Sequence, residues 1–337
     1  MLPDSAILFQ KFCKLFEYHW KVVLDELNAP EKGQLVGGNR FRPQMCFLGY
    51  LAAVEPASWN ADDFSLIADI SVSIELLHKA SLILDDWIDH DTERRGKQSL
   101  HVCIGPECSV LLAVKSVAYS MQRLKKYIGS RAIPPQCYYL CLDVLIETTL
   151  QMASGAYQEL SADNALFFDY RTVKKITQLQ TSEILGNSLL LGYYVSAGEL
   201  QRSKVDVELK WIGDQCGYIF QVMNDLEAFY NPQKLIQHKG SLNLDITTNR
   251  KNLAIALLYQ VADKKDKTLL ANVDRDSLVR LMQKYKILEF FQQDIKLVYD
   301  ALTERIDNLK NENVSPEWCS LFREFLGVVK KYAEERL

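Results

Sequence analysis

Punctuation is scarce in this chain. Its 337 residues hold only 15 glycines and 9 prolines, so long helices are expected. No apolar run approaches the roughly 18 residues of a membrane span, which argues against a transmembrane helix. The most apolar stretch, Leu189 to Ala197, is interrupted by Gly192, Tyr193 and Tyr194. A strong charge of either sign is also lacking: a net charge of −4 gives no electrostatic case for binding nucleic acid. The 8 cysteines form no CxxC pair and follow no signal peptide, so they read as reduced, mostly buried thiols of a cytoplasmic protein. Cys103 and Cys108 lie near His101 but match no zinc spacing. Repeats, low-complexity tracts and linkers are absent. With 48% hydrophobic residues, ample for a core, residues 1–337 read as one domain.

What is present is helical periodicity. It predicts helices over 5–28, 43–54, 61–90, 106–128, 134–161, 170–198 and 204–230, with joints at Pro56, Pro106 and Pro134-Pro135. Residues 254–337 continue as helix, ending in an amphipathic segment after Pro316. The fold class is therefore all-α.

One apolar helical face, Leu66 to Ile83, runs into D-D-x-x-D at Asp85, Asp86 and Asp89. Asp85 and Asp89 stand one turn apart on one face. Two carboxylates so close repel unless a cation lies between them, and hard oxygen donors suit Mg²⁺ completed by water and phosphate. Arg94, Arg95 and Gly96 follow, a pair of phosphate forks beside a residue that lets the backbone turn. The blander alternative is a solvated acidic helix end with a basic turn. His78 lies two turns below Asp85 on the same face, as a core histidine or as part of the cavity wall. Gly37-Gly38-Asn39-Arg40-Phe41-Arg42-Pro43 is at the least a loop entering a helix, with proline in its first turn. Thr181, within Gln180-Thr181-Ser182, can simply bond a carbonyl one turn back.

From His78 to Gly96 the pattern H-x-A-S-L-I-x-D-D-x-x-D-x-D-x-x-R-R-G resembles the first aspartate-rich motif of the trans-isoprenyl diphosphate synthases. Other segments resemble that family in order, over roughly residues 30–260. Gly37–Pro43 is similar to G-G-K-R-x-R-P with Asn39 for lysine. Gly155–Leu160 is similar to G-Q-x-x-D-L with Ala156 and Glu159 substituted. Gln180-Thr181 stands where the family has K-T. Phe220-Gln221 with Asn224-Asp225 resembles F-Q-x-x-D-D-x-x-D, with Asn224 for the first aspartate and Ala228 for the third. Lys239 and Lys251 match the two lysines of a G-K…D…G-K loop.

The resemblance implies an all-helical isoprenoid-synthase-type bundle around a central cavity and, usually, a homodimer. It implies ionisation of an allylic diphosphate on three Mg²⁺ ions and addition of the cation to isopentenyl diphosphate. Carried over residue by residue, Asp85, Asp89, Asn224 and Asp225 would hold metal, with Asp86 in the same catalytic motif. Arg94, Lys239 and Lys251 would contact the allylic diphosphate, with Gln180, Thr181, Phe220 and Gln221 around it. Arg42, His78 and Arg95 would hold isopentenyl diphosphate, with Asn39 at the edge. Ala80 and Ser81, small and just below Asp85, would let the tail grow to C20 or beyond. Gln180 removes a positive charge and Asn224 a negative one, so the two departures are expected to compensate if both face the allylic diphosphate. Two other readings stay open. One is a same-fold terpene synthase or a prenyltransferase with another acceptor, although N-D-x-x-S-x-x-x-E is broken at Ala228 and Pro232. The other is a non-catalytic partner subunit, although such subunits can dispense with D-D-x-x-D.

Overall fold

A computed structural model describes residues 5–59, 64–130, 132–161, 169–196, 204–230, 252–270 and 274–334. Apart from one small hairpin, the described elements are helices: α1 (Ser5–Asp25), α2 (Ala29–Leu35), α3 (Phe41–Ala52), α4 (Ser65–Ile88), α5 (Leu100–Ile104), α6 (Pro106–Lys125), α7 (Pro135–Ser161), α8 (Tyr170–Thr177), α9 (Glu183–Ser196) and α10 (Lys204–Tyr230). After these come α11 (Leu253–Val261), α12 (Lys264–Leu270), α13 (Arg275–Lys284), α14 (Ile287–Asn308) and α15 (Pro316–Glu334).

The interior is built on α4 and α9. Between Ile184 and Val195 only Leu190 escapes full burial, so α9 is the central helix, apolar on every side. It packs on α3, α4, α7 and α10. That accounts for the most apolar stretch of the sequence without a membrane, and no helix among the described residues is long and apolar enough to cross one. α1 lays Leu8, Phe12, Phe16, Trp20 and Val23 inward, a period of three and four residues that packs it onto α4.

Polar groups inside α4 are paired rather than bare, as burial demands. Asp69 receives the Arg123 guanidinium from α6 and the Tyr127 hydroxyl at 2.8 Å. Glu75 receives Arg40 at 2.7 Å.

The expected joints are present: Pro106 opens α6, and Pro135 opens α7. Besides α2, which the sequence reading did not predict, three features depart from it. Two-residue strands β1 (Glu93–Arg94) and β2 (Lys97–Gln98) pair antiparallel behind α4. The short α5 follows them. The helix expected over 170–198 is interrupted by a π-helical segment, Gln178–Ser182.

Candidate active site

His78, Ser81, Asp85 and Asp89 form one stripe along the last turns of α4. All four are partly accessible, whereas Leu77, Ala80 and Ile83 beside them are buried. Asp89 caps the helix, its N–H donating to Asp85 O at 2.8 Å. The Ser81 hydroxyl turns back to His78 O at 2.9 Å. Ala80 is only 2% exposed, so of the two small residues below Asp85 it is Ser81 that shares the accessible face.

Asp86 takes a different direction from its neighbour because adjacent helical residues diverge by about 100°. It is buried, and its Oδ1 accepts from Arg94 Nε at 2.5 Å. The hairpin makes this pairing possible. Arg95 and Gly96 form its two-residue turn with φ of 55° and 71°, the positive pair that a type I′ turn requires. Burial works against the Arg94 charge, but Asp86 first, then Asp85 and Asp91, outweigh it and hold its pKa above the ordinary arginine value.

A second group of cations gathers where the Gly37–Pro43 loop meets α4. Gly37 and Gly38 have φ of 85° and 111°, and a side chain at Gly38 would stand 3.3 Å from Arg95. Arg40 is an anchor: it donates to Glu17 at 3.0 Å and to Glu75 at 2.7 Å and lies over the rings of Phe16 and Trp20. Asn39 is exposed, its carbonyl accepting from Gln44 Nε2 at 3.1 Å. Lys79 is almost wholly buried and donates to Gly37 O at 2.9 Å. A cavity of about 210 Å³ here is lined by Gly37, Lys79, Asp86, Arg94, Arg95 and Lys97 among others. His78 registers the crowd of charge. Burial, then Arg42, Lys79, Arg95 and Arg94, push its pKa well below the ordinary histidine value, so its imidazole is neutral at pH 7.

The far wall comes from α7, the π segment and α10. Gln180 Nε2 donates to Glu159 Oε2 at 2.9 Å. Thr181 Oγ1 donates to Gln221 Oε1 at 3.0 Å, and Gln221 Nε2 to Asp225 Oδ1 at 2.6 Å. The other oxygen of Asp225 accepts from Leu253 N at 2.7 Å, and the Asp225 carbonyl accepts from Asn252 Nδ2 at 3.1 Å. Asp225 is thereby a buried tie between α10 and the start of α11, while Asn224 beside it is exposed. Phe220 packs against Phe41, ring centroids 4.6 Å apart. Gly155 and Gly217 admit the π segment. A Cβ on the first would meet Gln180 Cγ at 2.7 Å, and on the second Ser182 Cα at 2.5 Å. Lys239 and Lys251 lie outside the described residues.

The structure thus brings Arg42, His78, Arg94 and Arg95 together, and separately Thr181, Gln221 and Asp225. The Gln180 amide meets Glu159. One residue escaped the sequence reading, Lys79, and Glu159 entered it only as a replacement for aspartate. Lys79 carried a signal, being a lysine four residues after Glu75 inside an otherwise apolar helix.

The donor set suits a hard cation. Asp85 and Asp89 offer carboxylate oxygens on the accessible stripe, with no sulfur ligand on that stripe. No group of three His, Cys, Asp or Glu side chains among the described residues could hold an ion alone, which leaves positions for water and phosphate oxygens, as Mg²⁺ prefers.

A family model described as polyprenyl synthetase matches residues 26–288. The chain is 23% identical to a short chain isoprenyl diphosphate synthase of Methanocaldococcus jannaschii over 251 residues, 73% of this chain and 70% of that protein. It is 26% identical to a geranylgeranyl diphosphate synthase of Methanosarcina mazei over 236 residues, 68% of this chain and 66% of that protein. Its fold is that of a geranylgeranyl pyrophosphate synthetase from Pyrococcus horikoshii Ot3, with a TM-score of 0.77 at 21% identity, over 96% of this chain and 97% of that one.

Proposed function

Because this chain belongs to the polyprenyl synthetase family, we propose that it condenses an allylic prenyl diphosphate with isopentenyl diphosphate to a trans-prenyl diphosphate of C20 or longer. The observation that carries the reading is the convergence of Arg42, His78, Lys79, Arg94 and Arg95 at the end of the helix that presents Asp85 and Asp89. Carboxylates on one side and an excess of cations on the other are what two diphosphates and their counter-ions require.

In this reading Asp85 and Asp89, with Asn224 and Asp225 of the second motif, would hold Mg²⁺, three ions by the family resemblance, and bound Mg²⁺ would supply charge neutralisation of the allylic leaving group. Arg94 is fixed by Asp86 and so presents a preset fork to that leaving group. Asp86 therefore acts through Arg94 and not as a metal ligand. Lys239 and Lys251 contact the same diphosphate. Asn252 is tied to Asp225, so the second motif also fixes the start of α11. Arg42 and Arg95 hold the diphosphate of isopentenyl diphosphate, and neutral His78 donates a hydrogen bond to it. Ser81 and Ala80 set how far the tail descends.

The free state of all 8 cysteines suits a reducing compartment, and we place the protein in the cytoplasm. A homodimer is supported by an unpartnered apolar face on α6 and α7, where Leu111, Val114, Ile146 and Leu150 are exposed.

The test is incubation with C5, C10, C15 and C20 allylic diphosphates and Mg²⁺, with and without isopentenyl diphosphate. Chain-elongated diphosphates formed only with isopentenyl diphosphate are expected. Hydrocarbon or alcohol from the allylic substrate alone would instead establish a terpene synthase, and no turnover in either arm would favour a partner subunit.

A further inference from the structure

The buried cation Lys79 belongs to that convergence but has been given no ligand of its own. Its side chain is 2% exposed, and among the described residues its ammonium makes one hydrogen bond, to Gly37 O at 2.9 Å, and one ion pair, with Glu75. Glu75 Oε1 stands 3.8 Å away, beyond hydrogen-bond reach, and that oxygen already receives Arg40 at 2.7 Å. An ammonium has three donors, and one lies on the loop carbonyl. The group also lines the 210 Å³ cavity, whose charged lining is Lys79, Arg94, Arg95 and Lys97 against Asp86 alone. Asp86 is committed to Arg94. A Cβ on Gly38 would lie 3.8 Å from Lys79 Nζ and 3.3 Å from Arg95 Nη1, so both cations reach the same glycine pair. Asn39, the next loop residue, is exposed and brings no charge. A lysine held dry beside a cationic, anion-sized cavity is costly to keep unless an anion completes it.

We propose that Lys79 is a diphosphate-binding residue of this cavity, gripping the acceptor diphosphate from α4 together with Arg95. The inference rests on the prenyl diphosphate reading for the identity of the anion, and not for the anion site itself.

It carries a pH signature. Burial lowers the Lys79 pKa to about 8; Glu75 opposes this, while Arg40, Arg95 and Arg42 add to it. Because the folded value lies below the ordinary lysine value, the ammonium is fully present below pH 8 and is lost as pH rises through it. Affinity for the diphosphate therefore falls above pH 8. His78, the other titratable neighbour, is already neutral there.

The experiment is calorimetric binding of isopentenyl diphosphate, and separately of inorganic pyrophosphate, to the full chain without metal or allylic substrate, at pH 7 and pH 9. Wild type is expected to bind more weakly at pH 9. Lys79→Met should bind about tenfold or more weakly at pH 7 and show little further loss at pH 9. Lys79→Arg keeps a charge that does not titrate and should bind equally at both pH values, which serves even if the Met variant does not fold. A lysine that merely tied the loop would weaken binding on substitution without removing the pH limb. Equal affinity of wild type and Lys79→Met for both anions, or a pH limb that persists in Lys79→Arg, overturns the proposal. If pyrophosphate binding depends on Lys79 while isopentenyl diphosphate does not bind at all, the anion site stands and the prenyl reading fails.

Discussion

Glu159 is the residue that most changes the electrostatics of the far wall. Its carboxylate accepts from the Gln180 amide at 2.9 Å, where the resembled enzymes carry a lysine, so a negative charge stands beside a neutral amide on this wall. Gln180 spends its donor on Glu159, and Asn224 is exposed. Adjacency in sequence conceals such partnering. Asp85 and Asp86 are neighbours with opposite destinations, and only the return of the hairpin decides which of them meets Arg94. What was legible at this scale was the contiguous motif, because residues within one helix turn carry their geometry with them. A like charge ~8 Å from a diphosphate, at an effective dielectric of ~20, costs about 2 kcal/mol. Glu159→Gln keeps a hydrogen-bonding partner for Gln180 and removes that charge. The Michaelis constant for the allylic diphosphate should therefore fall severalfold, with that for isopentenyl diphosphate unchanged. Steady-state kinetics with each substrate varied in turn checks this. An unaltered allylic constant would mean that Glu159 does not face the leaving group.

Among the elements, α4 was readable almost to its ends: the apolar period over 61–90 corresponds to Ser65–Ile88. The π segment was not. A π turn is made by one residue too many between two well-packed stretches and leaves no mark in composition. Its cause lies in Gly155 and Gly217 on other helices, whose missing side chains admit it. The periodicity of α4 also refines the product-length argument. Ser81 stands one turn, ~6 Å, below Asp85 on the accessible stripe, whereas Ala80 points into packed interior. Ser81→Phe should thus fill the lumen and shorten the product by one or two isoprene units while the protein melts near the wild-type temperature. Ala80→Phe must move neighbouring helices, at a cost of ~1–3 kcal/mol, so any shortening there should come with a lowered Tm. Chromatography of the dephosphorylated products, alongside thermal denaturation, separates the two. A Ser81→Phe enzyme that makes the wild-type product would show that the tail does not pass this stripe.

Across the whole molecule, fold class and helix order followed from sparse glycine and proline and from period, since each long helix must bury one face. Which faces remain without a partner could not be read, because exposure depends on how every other helix is laid down. On α7 the exposed apolar residues are Tyr139, Ile146, Leu150, Tyr157 and Leu160, and on α6 Leu111 and Val114. Scattered surface apolars are ordinary, but these recur at helical spacing on two helices that pack on each other. Such a continuous face calls for a partner surface. A second copy of the chain offers the same face, and a twofold axis makes it self-complementary. At 57% and 67% exposure, Leu150 and Leu111 contribute little to the monomer's own core. Wild type is expected to sediment as a dimer, and the pair Leu111→Arg and Leu150→Arg should leave the helical content unchanged and give a monomer. Sedimentation equilibrium over a range of concentrations measures this. Placing two charges per copy against their own symmetry mates also adds repulsion that salt weakens, so partial recovery of the dimer in high salt is expected. A wild-type chain that sediments as a monomer at every concentration, or a double variant that remains dimeric, would remove α6 and α7 as the contact surface.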